Sequence, residues 1–305
     1  MKNFNFIVIA LCTCILIGCK KESTTPNNKT DSLAVKKDSV IVQEFHKELY
    51  GVYTGNFVGI ERIREDENQD FYDNEVTKRL SLKINRITKD SVYGQSIVNG
   101  NQRPFRGVFN DSNKSFILDE PGNDKTDGRF EVSLNADSLT GKWVAFDKSA
   151  VKIATKNLKL IKKDFVYNPN FMLDPHTDLV DWTNPKEFAQ KYTDDNGKEV
   201  KYMSEKNRIA SDAVFKINAS KQKLAEKDLK NLRKIDLEII KNSVFARHGY
   251  SFKKETYRYF FEQTDWYIPV SSNVDEELSP LEKENVALLN RFTKYAEDKY
   301  DYFGR

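Results

Sequence analysis

The hydrophobic period of this chain changes once, and the change limits the fold more than any single motif does. Between Glu44 and Phe165 apolar and polar residues alternate in eight short runs: Leu49–Gly59, Val76–Ile87, Ser91–Asn99, Arg103–Asn110, Ser115–Glu120, Gly128–Leu134, Ser138–Phe146 and Val151–Ile161. Alternation at period two places the apolar set on one face of a half-buried strand, as in Leu80, Leu82 and Ile84. Pairs that favour tight turns divide the runs: Asn99-Gly100, Asp111-Ser112, Pro121-Gly122 and Asp127-Gly128. Such strands with short links predict an antiparallel meander, closed into a small barrel or folded as a sandwich. After Ser220 the spacing becomes helical. The expected class is therefore α+β and multidomain, an N-terminal antiparallel β-barrel or sandwich followed by a small C-terminal helical domain.

The aromatic residues Tyr53, Phe57, Tyr93, Phe105, Phe109, Phe116, Phe130, Trp143 and Phe146 are numerous enough to fill such a barrel. The alternative is an interior that leaves room for one small apolar ligand. The segments Gly51-Val52-Tyr53-Thr54-Gly55 and Leu139-Thr140-Gly141-Lys142-Trp143 loosely resemble the small lipocalin-like barrels of bacterial lipoproteins.

The most patterned stretch is Leu232 to Tyr267. In helical projection Leu237, Ile240, Val244 and His248 share one side, and Ile239, Phe245 and Ala246 widen the apolar surface, so this helix is buried on more than one side. Gly249 stands where a helix closes in a left-handed residue, with Arg247 and His248 in the last turn at the negative end of the helix dipole. A short helix around Glu226–Leu232 comes before it. A third helix at Lys254–Gln263 buries an edge of Tyr257, Phe260 and Phe261. The last helix has Ser279 as N-cap, Pro280 at its first position and Glu282 at its third, a capping box, and carries Leu281, Val286, Leu289 and Phe292 at helical spacing. The four helices are expected to pack as a bundle with Trp266 between them.

This region resembles the YARHG domain, a family of presumed extracellular bacterial modules named for a Tyr-Ala-Arg-His-Gly signature. Here the signature reads Phe245-Ala246-Arg247-His248-Gly249 after Lys241-Asn242. Phe252, Phe260, the Trp266-Tyr267-x-Pro269 element and the Leu278 to Asn285 run, which includes Glu282, follow it. The resemblance spans residues 224–298 and implies an architecture and an extracytoplasmic address, with no reaction attached. Phe245 in place of the family tyrosine argues against chemistry that needs a phenol there. The signature residues Asn242, Phe245, Ala246, Arg247, His248, Gly249, Trp266, Tyr267, Glu282 and Asn285 are expected to be structural.

Residues 1–19 follow the plan of an export signal. Lys2 supplies the charge, Phe6 to Ile17 the apolar run, and Leu16-Ile17-Gly18-Cys19 resembles a lipobox, which implies acylation of Cys19. All three cysteines lie here, so processing leaves only Cys19 and no disulfide or thiol nucleophile. Residues 20–43 are too polar to build a core and read as a flexible tether. The remaining expected boundaries are 44–165 for the β domain, 166–222 for a connector with limited structure, and 223–305 for the helical domain. Within the connector, Thr193-Asp194-Asp195-Asn196-Gly197 forms a hairpin turn between Lys191-Tyr192 and Glu199–Met203, and Ile209–Asn218 is one more strand. The Asp194 loop is not a calcium site, because no Glu closes the ligand spacing.

The 49 basic and 46 acidic residues are scattered, with no basic stripe, so nucleic acid is not an expected partner. The histidines His46, His176 and His248 fall in separate segments, and no nucleophile elbow, metal set or cofactor loop is present; neither metal nor cofactor is expected. Two roles remain for the signature cations. Arg247 and His248 pin the central helix to the last one, Arg247 paired with Glu282 or another carboxylate of the last helix and bonded to carbonyls near Trp266-Tyr267; or His248 is a general base oriented by a carboxylate such as Glu282, with Arg247 holding an anion. The chain reads as a lipid-anchored protein of the cell envelope, at the outer membrane because no Asp follows Cys19. It acts as a non-catalytic binding or structural module for an envelope component such as peptidoglycan or protein. The alternatives are a hydrolase acting on envelope polymers and a carrier of a small apolar ligand.

Overall fold

The computed structural model describes residues 43–297 except 65, 67 and 68. The expected leader, Cys19 and nearly all of the tether lie outside the described residues. Eight antiparallel strands form a closed barrel: β1 Gly51–Ile63, β2 Tyr72–Ile87, β3 Val92–Val98, β4 Asn101–Asn110, β5 Ser115–Asp119, β6 Gly128–Asn135, β7 Ser138–Ala145 and β8 Thr155–Lys163. Closure is made by β1 against β8, with Tyr53 opposite Lys162 and Phe57 opposite Leu158. The barrel thus settles the choice left open between barrel and sandwich, and it removes every free edge from this sheet.

Alternation decides what fills it. Tyr53, Phe57, Leu80, Leu82, Ile84, Phe105, Phe116, Leu118, Phe130, Val132, Leu139, Trp143, Leu158 and Leu160 form one buried cluster. Trp143 meets the ring of Phe57 edge-on at 6.0 Å. Two acidic residues are buried near one end of the barrel. Glu120 accepts from Ser96 Oγ at 2.6 Å, Gly128 N–H at 2.9 Å and Trp143 Nε1 at 3.2 Å, and Asp127 pairs with Arg103 at 2.6 Å. Tyr93 and Phe146, counted among the interior aromatics, instead lie partly or largely exposed, with Tyr93 under the guanidinium of Arg86 at 4.4 Å.

On the outward face of β1, β2 and β3, Thr54, Ser81 and Ile97 are also buried. The helical region bonds to this side of the barrel. Arg79 of β2 donates to the carbonyls of Glu262 at 2.6 Å and Tyr267 at 2.9 Å, Lys78 pairs with Glu255 at 2.7 Å, and Ser272 N–H donates to Gln102 at 3.2 Å. Barrel and helices accordingly belong to one compact unit.

Residues 166–222 carry more regular structure than their proline and polar content suggests. A long two-stranded ribbon, β9 Val180–Thr193 and β10 Glu199–Ile209, extends the expected hairpin on both sides of its turn. The turn is closed by Asp194, whose Oδ1 accepts from Asn196 N–H at 3.0 Å and Lys198 N–H at 2.8 Å, with Gly197 at φ +78. The strand expected at Ile209–Asn218 does not form. Ile209 ends β10, and Asp212–Phe215 is a 3-10 turn capped by Ser211, because Asp236 takes both the Ser211 N–H, at 2.6 Å, and its hydroxyl, at 2.9 Å.

Four helices follow: α1 Glu226–Leu229, α2 Lys234–Arg247, α3 Glu255–Glu262 and α4 Pro280–Tyr295. Only Lys234, Lys241 and Phe245 of α2 escape full burial, as expected of a helix apolar on more than one side. Its residues Ile235, Leu237, Ile239, Ile240 and Val244 share a core with Phe260 and Phe261 of α3 and Leu289 of α4. The capping box opens α4 as predicted, Ser279 Oγ accepting from Glu282 N–H at 3.2 Å and Glu282 Oε2 from Ser279 N–H at 2.9 Å. Trp266 does not lie among the helices alone. It stacks on Phe171 at 5.2 Å and donates to the Met172 carbonyl at 2.7 Å, so the connector holds it.

Candidate functional site

The signature residues are arranged by the way α2 ends. Gly249, at φ +73, turns the chain left-handed, which sends its N–H to the Ala246 carbonyl at 2.9 Å and the Tyr250 N–H to the Phe245 carbonyl at 3.0 Å. This is the Schellman closure, and its accompanying apolar contact is the edge-on pair of Phe245 and Tyr250 rings at 6.0 Å. A β-carbon on residue 249 would stand 2.5 Å from Val270 Cγ2 and 2.8 Å from Phe165 Cε2, so close approach as well as backbone demands glycine. The aromatic, alanine and glycine of the signature are thus the parts of one helix terminus.

Arg247 and His248 leave that terminus in different directions. The Arg247 side chain is 1% exposed and donates through Nε to the Phe171 carbonyl at 2.6 Å, through Nη1 to Ser220 Oγ at 3.0 Å and through Nη2 to Met172 Sδ at 3.4 Å. His248 places Nε2 at 3.0 Å from Glu282 Oε2 and lies under the ring of Tyr167, with centroids 4.2 Å apart. Tyr167 in turn donates to Glu282 Oε1 at 3.1 Å.

The expected pairing of Arg247 with Glu282 is therefore corrected. His248 takes the carboxylate, and Arg247 serves a connector carbonyl rather than one near Trp266-Tyr267. The cause is position on the helix end. Arg247 is the last helical residue and continues the Ile240 stripe into the connector, while His248, one residue later, has already left the helix towards α4.

Burial by itself would raise the Glu282 pKa, but hydrogen bonds from His248, Ser220 and the Ser279 N–H outweigh it and hold the carboxyl at about 2. Burial draws the Arg247 guanidinium down to about 10 against the opposing charge of Glu282, which leaves it cationic at neutral pH. Burial and the neighbouring Glu282 push the Tyr167 hydroxyl up, so it remains a neutral donor. An ionised Glu282 accepts from all its partners, and this assigns the Nε2 proton of His248. A general base needs a free lone pair facing open space. Here Nε2 is committed, and Nδ1 faces Glu277 at 4.0 Å on a side chain 6% exposed. The cluster links α2, α4 and the connector through these bonds.

The other signature residues join the same framework. Asn285 Nδ2 donates to the carbonyls of Ala219 and Gln222, each at 2.8 Å, while its Oδ1 accepts from Leu224 N–H at 3.0 Å. Tyr267, 1% exposed, donates to the Tyr250 carbonyl at 2.7 Å, and Asn242 donates to the Glu238 carbonyl at 2.7 Å. Sequence reasoning missed Tyr167, Phe171, Met172 and Ser220. They lie where no periodicity singles out any position, and no local signal could have found them. Cys19 lies outside the described residues.

Among the described residues no group of three or more His, Cys, Asp or Glu side chains converges to hold a metal. A concavity of about 710 Å³ between the base of the ribbon and the start of α2, lined by Lys186, Lys206 and Arg233, lies apart from the signature cluster.

Residues 213–294 match the YARHG domain. No curated protein and no solved structure matches the chain.

Proposed function

We propose that this chain is a lipid-anchored protein of the cell envelope, held at the outer membrane through Cys19, whose barrel and YARHG domain act together as a non-catalytic binding or structural module for an envelope component, peptidoglycan or protein. The observation that carries this reading is the commitment of the signature polar groups to internal bonds: Glu282 is 0%, Arg247 1% and His248 5% exposed. A hydrolase would keep such groups open to its polymer. The packed cluster of aromatic and aliphatic side chains inside the barrel favours a structural interior over carriage of an apolar ligand. The lipobox-like Leu16-Ile17-Gly18-Cys19, followed by Lys20 rather than Asp, supports the anchor and the outer membrane.

Two measurements test it. The Cys19→Ala protein should lose lipid labelling and leave the membrane fraction; an acylated, membrane-bound Cys19→Ala protein would refute the anchor. Purified full-length chain incubated with isolated peptidoglycan should release no soluble fragments. Fragment release that disappears in His248→Ala would make the chain a hydrolase.

A further inference from the structure

Two shallow hollows, of about 390 and 480 Å³, adjoin where α2 and the loop after α3 meet the barrel, and they share Tyr250 and Ser272. The first is lined by Asn242, Phe245, Asn273 and Asn290, the second by Asn101 and Gln102. Two of these are signature positions, so the side of the signature helix that does not enter the core forms a wall of this groove.

The chemistry of the walls is narrow. Five side-chain amides and two aromatic rings face a groove with little aliphatic surface; of its cations Lys241, Lys253 and Arg103, the last is already paired with Asp127 and Asp124, and the other two are accompanied by Asp275. Two of the amides are half-used. Asn290 Oδ1 accepts from Lys241 at 3.1 Å and Asn273 Oδ1 from Asp275 N–H at 3.0 Å, which leaves both Nδ2 groups without a partner among the described residues.

From this we infer that the groove is a binding site for a saccharide chain bearing acetamido groups. An amide fork pairs reciprocally with another amide or with adjacent hydroxyls, and an aromatic ring covers the apolar face of a sugar ring. A lipid would require an apolar floor, and a polyanion would require cations in excess of those here. The combined hollow lies within the size range of ligand pockets, roughly 300–1,000 Å³. This inference rests on reading the chain as a binding module and names the chemistry of its ligand.

Calorimetric titration of the full-length protein in detergent with a tetramer of N-acetylglucosamine, and separately with a glucose tetramer, tests it. Saturable binding of the acetamido sugar is expected, at least tenfold tighter than the glucose chain. Asn273→Ala and Asn290→Ala, both on exposed residues that leave the core intact, should each weaken it at least fivefold, and Gln190→Ala on the distant ribbon should not. No saturable binding at millimolar sugar overturns the inference, as does equal binding of the two sugars or indifference to both groove variants. Mass analysis of the recovered sugar separates the two readings. Intact tetramer supports both, whereas a shortened tetramer with the groove variants still weakened keeps the saccharide site and ends the non-catalytic reading.

Discussion

The phenol of Tyr167 lies almost flat on the imidazole of His248, ring centroids 4.2 Å apart and planes 21° from parallel, while its hydroxyl donates to the carboxylate that His248 also faces. One connector residue thereby fixes both members of the buried pair. Tyr167→Phe should keep the stack and lose the charged hydrogen bond, at about 1.5–3 kcal/mol. Tyr167→Ala should cost more by losing the stack as well. Urea unfolding followed by far-UV circular dichroism gives both values, and equal stability of parent and Tyr167→Phe would show that the bond is neutral in solution.

Acid should act through Glu282. Its carboxyl is held at about 2 against an ordinary 4.5, a lowered folded-state pKa, so its contribution is complete above pH 4.5 and is lost as pH falls towards 2. The size is about 3 kcal/mol. Glu120 and Glu262, pushed up by burial, act in the opposite sense, since their charged forms are disfavoured in the fold. The clean readout is therefore the difference between parent and Glu282→Gln. It should be largest near neutral pH and shrink towards zero between pH 4.5 and 2. A difference that is flat with pH would mean Glu282 is not the acid-labile group.

Gly249→Ala should destabilise by about 2–5 kcal/mol, combining a left-handed backbone penalty with crowding against Val270 and Phe165. Gly197 offers an internal comparison. It has φ +78, but nothing lies within 4 Å of the place a β-carbon would take, so Gly197→Ala should cost only the backbone share, about 1–2 kcal/mol. Thermal melts of the two variants test whether close approach adds to conformation at the signature glycine.

Arg79 reaches from a barrel strand to carbonyls at and beyond the end of α3. Because the helices share one compact unit with the barrel, Arg247→Ala should shift a single unfolding transition instead of melting the helical region alone. Arg79→Ala should broaden or split that transition and raise amide exchange in residues 260–268. A split transition already present in the parent would show that the two regions unfold independently.

The sequence alone determined each element whose cause is local. Alternation with turn pairs announced the eight barrel strands, and the Ser279-Pro280-Glu282 cap, the helical stripe of α2 and the glycine stop at residue 249 could all be read because propensity, capping and periodicity act within a few residues. Tertiary structure alone decided the partners. Arg247 and Glu282 are both buried and oppositely charged, yet a one-residue step at the helix end gives the carboxylate to His248 and turns the guanidinium to Phe171. That outcome depends on where the aperiodic stretch from Tyr167 to Leu173 crosses the helices. Its position is set by packing between segments far apart in the chain, and no local pattern encodes it.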